Sequence, residues 1–145
     1  MHRLGLKTVL VSLIAVLSLA CSGQVKSPDV AAFWNNFRQA VIANDNKAVL
    51  EMVRFPFEVR GPTDGEPVHH LDRQQFLNIY AKLLAQPVYL PESGKVVPRT
   101  MRELIVARPD LDPSNLLTPA MVRFYQFEFT MIDGRWLFTR AYLEE

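Results

Sequence analysis

The sequence predicts an α+β domain, with N-terminal helices packed on one face of a curved antiparallel sheet that ends in a long C-terminal hairpin. Three observations predict it. Apolar residues recur at helical spacing from Val30 to Val41 and again from Phe76 to Leu84. The repeat shortens to two residues at Phe55, Phe57 and Val59, as in a half-buried strand. Near the C-terminus, Asp133-Gly134 is a two-residue turn signal between two aromatic, alternating runs. Helices gathered early and strands late make α+β rather than an alternating α/β fold.

Ahead of that domain, residues 1–20 have the form of an export signal. His2, Arg3 and Lys7 give a basic start, Thr8 to Leu19 is an uncharged apolar run, and Ala20 is small. The run is too short for about 30 Å of hydrocarbon, which takes roughly 20 residues. Ser12 and Ser18 alone interrupt it after Val9, so it lacks the polar face of a surface helix. Leu17-Ser18-Leu19-Ala20-Cys21 resembles the lipobox of bacterial lipoproteins, which implies that Cys21 becomes the acylated first residue. Ser18 and Ala20 also satisfy the small-x-small rule of ordinary cleavage, the alternative. Cys21 is the sole cysteine and has no internal disulfide partner. Acyl chains there would hold the protein in the membrane at about 0.8 kcal/mol per buried CH₂. The expected location is the bacterial cell envelope, anchored and facing the periplasm, or otherwise soluble in the periplasm. Ser22 resembles outer-membrane sorting in enteric bacteria, a lineage-dependent rule that leaves inner and outer membrane both open.

Losing Arg3 and Lys7 with the signal leaves 14 of the 16 basic residues against 15 acids, a charge near −1. That balance gives no concentrated basic face, so no nucleic acid partner is expected. Residues 21–27 read as a polar tether and 28–145 as one domain, enough chain for a single core.

Along the domain, Ser27-Pro28-Asp29 reads as a helix start: cap, proline, acid. Asn44-Asp45 breaks that helix, and Asp45 can cap a shorter one carrying Val49, Leu50 and Val53. The strand at Phe55–Arg60 contains Pro56, which suits an edge. Gly61 to Gly65 is a loop. Asp72 with Gln75 forms a capping box, Leu71 with Phe76 a hydrophobic staple, and Pro87 ends that helix. Pro98, Pro109, Pro113 and Pro119 argue against long elements in the middle, where Thr100 and Glu103 could cap a short helix and a strand is the alternative. The terminal turn sets a register that puts Met131 opposite Trp136, Phe129 opposite Phe138, Phe127 opposite Arg140 and Tyr125 opposite Tyr142, all on the aromatic side. A bulge would flip the later pairs.

The order helix, helix, strand, helix, hairpin resembles the nuclear transport factor 2-like superfamily, a cystatin-like cone. It is carried by Phe37 to Val53, Phe57-Glu58-Val59-Arg60, Asp72 to Leu84 and Asp133-Gly134-Arg135-Trp136. The resemblance implies a site on the concave side of the sheet beneath the helices. It also implies dimerisation through the other side, where Phe124, Ile132, Leu137 and Leu143 form an expected apolar patch. The superfamily holds isomerases, hydratases, cyclases and plain binding domains, so the fold leaves function open.

On the expected register Arg140 stands among aromatics, where it needs an acid, carbonyls or a ligand anion. The commoner arrangement is a structural pair with Glu144 or Glu145, or snorkelling past the rim. Tyr80, Tyr125, Tyr142 and Phe127 complete the candidate ligand-binding set, with packing as the alternative. Trp34 and Trp136 read as packing residues, and Glu58 with Arg60 as a solvated pair. His69-His70 with Asp72 is a weak metal-like cluster, because neighbouring strand residues face apart and Asp72 is a cap. No metal and no cofactor is expected, since there is no Gly-rich phosphate loop, Ser-His-Asp set or nucleophilic Cys. The expected function is an envelope protein that binds a small ligand or docks an envelope protein, with no catalytic residue assigned. The alternative is an isomerase or hydratase using the concave pocket, for which Glu128 would serve as base only if a bulge turned it inward.

Overall fold

Each early helix starts on a side chain that accepts from its first turn. The computed structural model describes residues 29–143, so the signal, Cys21, the tether, Glu144 and Glu145 lie outside the described residues. Asp29, not Ser27, caps α1 (Val30–Ile42), accepting from Ala31 N at 2.9 Å. Asn44 takes a left-handed conformation, reversing the chain, and Asp45 caps α2 (Asn46–Glu51). After β1 (Val53–Arg60) and β2 (His69–Leu71), α3 (Arg73–Ala85) begins on the Asp72–Gln75 capping box with both halves formed.

The proline-rich middle is more regular than expected. β3 (Pro87–Glu92) and β4 (Lys95–Thr100) form a hairpin around Ser93-Gly94, both at positive φ. The hairpin is a two-stranded sheet of its own, so both strands are edges and tolerate Pro91 and Pro98. α4 (Met101–Ala107) starts on a second capping box, Thr100 with Glu103. A 3₁₀ turn (Pro113–Asn115) leads into β5 (Leu116–Thr118), β6 (Met121–Phe124), β7 (Phe127–Ile132) and β8 (Arg135–Tyr142).

The main sheet runs β2-β1-β8-β7-β6-β5 and is not closed. The α+β class is as predicted, but the sheet is mixed, because β1 and β8 run parallel. β1 is also not an edge strand. Pro56 is accommodated because the β1–β8 register slips between Val53 and Glu58, and β2 pairs only with Phe57 to Val59.

Beneath the helices the sheet presents rings. Phe37, Phe57, Phe76, Phe127, Phe129 and Phe138 are each at most 1 % exposed. The Phe138 ring centre lies 4.6–6.2 Å from those of Phe127, Phe57, Phe129, Phe37 and Phe76. α1 grips α4 by its backbone. Trp34 Nε1 donates to Arg108 O at 2.9 Å, and Arg38 donates to Val106 O through Nε and Nη2 at 3.1 and 2.6 Å. These carbonyls at the end of α4 have no helical partner, so donors from α1 satisfy them.

The predicted hairpin register holds near the turn and fails beyond it. Asp133 and Gly134 sit at positive φ, and Met131 pairs with Trp136 and Phe129 with Phe138. The register then slips, so that Glu128 pairs with Arg140 and Phe127 with Ala141. Thr139 is the extra residue, and the bulge moves Arg140 to the side away from the helices. The strand preceding the turn is also shorter than expected. Tyr125, at φ 50°, and Gln126 make a second turn that pairs Phe124 with Phe127. Phe124 therefore belongs to the core, its ring 4.7 Å from that of Trp34, and Tyr125 does not face Tyr142.

Removing the ring at the centre of this core tests the packing. Phe138→Ala is expected to cost about 4 kcal/mol, much of the margin of a small domain, read as a fall in urea midpoint.

Candidate functional site

A polar cluster lies on the face of the sheet that the helices leave uncovered, built where β1, β8 and β7 run side by side. Arg140 is its centre. Its Nε donates to Glu58 Oε2 at 2.7 Å, Nη2 lies 2.6 Å from the same oxygen, and Nη1 donates to Glu128 Oε1 at 3.0 Å. Tyr142 donates its hydroxyl to Glu128 Oε2 at 3.3 Å, and the Arg123 guanidinium stands 4.1 Å above the Tyr142 ring centre. Thr139 donates to Glu128 O and shares a 3.0 Å hydrogen bond with Thr130. Arg60 Nη2 and His70 Nε2 approach Glu58 at 3.5 and 3.7 Å.

The bulge explains why these groups meet. Two β8 residues, Thr139 and Arg140, oppose the single Glu128, so a hydroxyl and a guanidinium both reach its side of the sheet. Glu58 arrives from the neighbouring strand, directly beside Arg140. Glu128 is only 4 % exposed, which an unpaired carboxylate would not tolerate. Burial alone would raise the Glu58 carboxyl, but the Arg140 hydrogen bond and charge, with Arg60 and His70, hold it below the usual carboxylate range. Burial likewise works against the Arg140 charge, and Tyr142, Glu58 and Glu128 reverse that, raising its pKa.

Of the predicted ligand-binding residues, Arg140 and Tyr142 come together here and the other three do not join them. Phe127 is in the ring core. Tyr80 stacks on Phe76 at 5.2 Å, its buried hydroxyl has no protein partner, and burial pushes the phenol up. Tyr125 packs on Phe124 at the second turn and lines a separate surface depression of about 310 Å³ with Asp110 and Asp112. Cys21 lies outside the described residues. The arginine has the acidic pairing considered for it, but its partners here are Glu58 and Glu128. Glu58 was missed as such, since its pairing with Arg140 spans 82 residues of chain. The alternation of β1 did place it opposite Phe57.

The depression beside the cluster holds about 180 Å³ and is bordered by Pro56, Met121 and Ile132 as well as the charged groups. It can accept a side chain or a small polar group from outside. The helix-covered side of the sheet is filled by its own rings. Among the described residues no three His, Cys, Asp or Glu side chains come within metal-holding reach of one another. No protein-family model, no curated protein and no solved structure matches the chain.

Two measurements test the electrostatics. Arg140→Met strands the buried Glu128 and is expected to destabilise the domain by about 3 kcal/mol, with part recovered when Glu128→Leu is added. Glu58 titrates lower in the folded chain than in the unfolded one, so its stabilisation is present above the ordinary glutamate range and lost on further acidification. The gap in urea midpoint between the native protein and Glu58→Gln should therefore be full at neutral pH and narrow as pH falls below about 4.

Proposed function

We propose that this chain is an exported envelope protein, held at a membrane by acyl chains on Cys21, whose domain docks another protein through the helix-free side of its sheet. The observation that carries the docking reading is the filling of the opposite side. Six phenylalanine rings occupy the space where a cone would hold a small ligand, each at most 1 % exposed. The polar groups that could recognise a partner stand on the open side, around Arg140 and Glu128. An isomerase or hydratase would need a carboxylate or histidine beneath the helices, whereas Glu58, Glu128 and His70 all cluster on the other side.

The anchoring reading is supported by the signal-like start and the single cysteine at its end. Among the described residues no helix is long and apolar enough to cross a membrane. The superfamily resemblance is supported by the order α1, α2, β1, α3 and closing hairpin, with β3, β4 and α4 placed between.

The occupant favoured for the open side is a second copy. Met121, Ile132 and Leu137 are half-buried there beside both acids and arginines, so a two-fold contact can match apolar with apolar and charge with opposite charge. Two of the four residues expected in that patch are elsewhere: Phe124 is in the core, and the slip at Thr139 turns Leu143 to the helix-covered side, where it packs against the core.

Cys21→Ser is expected to release the protein from membranes and to abolish labelling by fatty acid. A Cys21 that takes up no labelled acyl chain removes the anchor. For the docking surface, light scattering of Cys21→Ser at micromolar concentration should give a dimer mass that Leu137→Arg reduces to a monomer. A monomeric mass without that substitution rejects self-docking.

A further inference from the structure

The most exposed large apolar side chains in the described chain are on neither side of the main sheet. They belong to the β3–β4 hairpin, where Tyr89 is 62 % and Val96 69 % exposed. Register puts Tyr89 opposite Pro98 and Pro91 opposite Val96, so these four residues share one side of the ribbon, and both prolines are exposed too. The other side does the structural work: Val88 is buried and Leu90 packs on the core. Nothing in the fold requires the outer side to be apolar. Polar residues there would leave the hairpin intact.

The hairpin is a poor template for strand addition. Pro91 and Pro98 remove N–H donors from its edges. What remains is a stiff apolar surface with a tyrosine at its centre and Lys95 beside the turn. Register puts Glu92, Lys95 and Arg99 on the other side with Val88 and Leu90, where Glu92 pairs with Arg99 at 3.0 Å and Lys95 is next in sequence to Val96. Apolar side chains, a tyrosine that wants one wet end and a lysine at the turn, long enough to reach past it, match the headgroup region of a bilayer.

Chain length supplies the second argument. From Cys21 to Asp29 the chain can extend at most about 27 Å, at roughly 3.4 Å per residue. A domain held by an acylated Cys21 therefore stays within about its own diameter of the lipid surface. We infer that the Tyr89-Pro91-Val96-Pro98 side of the hairpin rests in the headgroup region of the membrane to which Cys21 tethers the chain. This contact rests on the anchoring reading above, and makes the hairpin a second, non-covalent attachment that fixes how the domain is turned.

Acylation consumes the Cys21 sulfur, so Val96→Cys in the acylated protein carries the sole free thiol. Labelled there with an environment-sensitive nitrobenzoxadiazole and reconstituted into phosphatidylethanolamine–phosphatidylglycerol vesicles, the probe should shift to the blue and lose quenching by iodide. The same label at Lys82→Cys, on the exposed side of α3, should stay quenched. Equal quenching at the two positions in protein that floats with the vesicles overturns the hairpin contact and leaves the anchor standing. Protein that fails to float overturns the anchor and the contact together. A blue shift without vesicles that grows with protein concentration assigns the surface to a second copy and overturns the lipid assignment.

Discussion

Thr139 and Arg140 of β8 stand opposite the single Glu128 of β7, and the difference between the two sides of the sheet follows from that mismatch. Upstream of it, β8 sends Trp136 and Phe138 under the helices. Downstream, Ala141 takes the covered position while Arg140 and Tyr142 turn outward. A regular strand would have driven a guanidinium into a layer of phenylalanine rings, where no acid waits for it. The extra residue places it between Glu58 and Glu128 instead, and the charge is met on both flanks.

The covered side becomes predominantly apolar as a result. Ala141, the smallest residue of the layer, lies opposite Phe127, and the rings of Phe127 and Phe138 close to 4.6 Å. Edge-to-face contacts dominate around Phe57, Phe76 and Phe129, the arrangement that opposes the positive rim of one ring to the negative face of the next. A core of this kind supports the sheet at the expense of any internal chamber. The charged cluster then stands on the open side, and the covered side keeps isolated polar groups such as the buried Tyr80 hydroxyl.

Local signals were legible in the sequence, and pairings between distant segments were not. Asp72 with Gln75, Thr100 with Glu103 and Asp133-Gly134 each act within four residues, and each does in the structure what its chemistry implies. Ser93-Gly94 was an equally local turn signal, but nearby prolines argue against strands unless both strands are edges, a fact of tertiary arrangement. The turn at Tyr125 has no glycine or asparagine to announce it, and the slip at Thr139 has no marker residue at all. Arg140 was legible as a cation that needed partners. Which partners it has depends on that slip and on the parallel pairing of β1 with β8, whose segments are separated by most of the domain.

The grip of α1 on α4 works through main-chain oxygens. Trp34 and Arg38 bind the carbonyls of Arg108 and Val106, groups that every residue type supplies. The outward side chains at positions 106 and 108 are therefore released from any duty in holding the two helices together. Over evolutionary time positions 106 and 108 can change their surface chemistry while the tryptophan and arginine of α1 stay fixed, so divergence among descendants of this chain should concentrate there and spare the two residues that hold them.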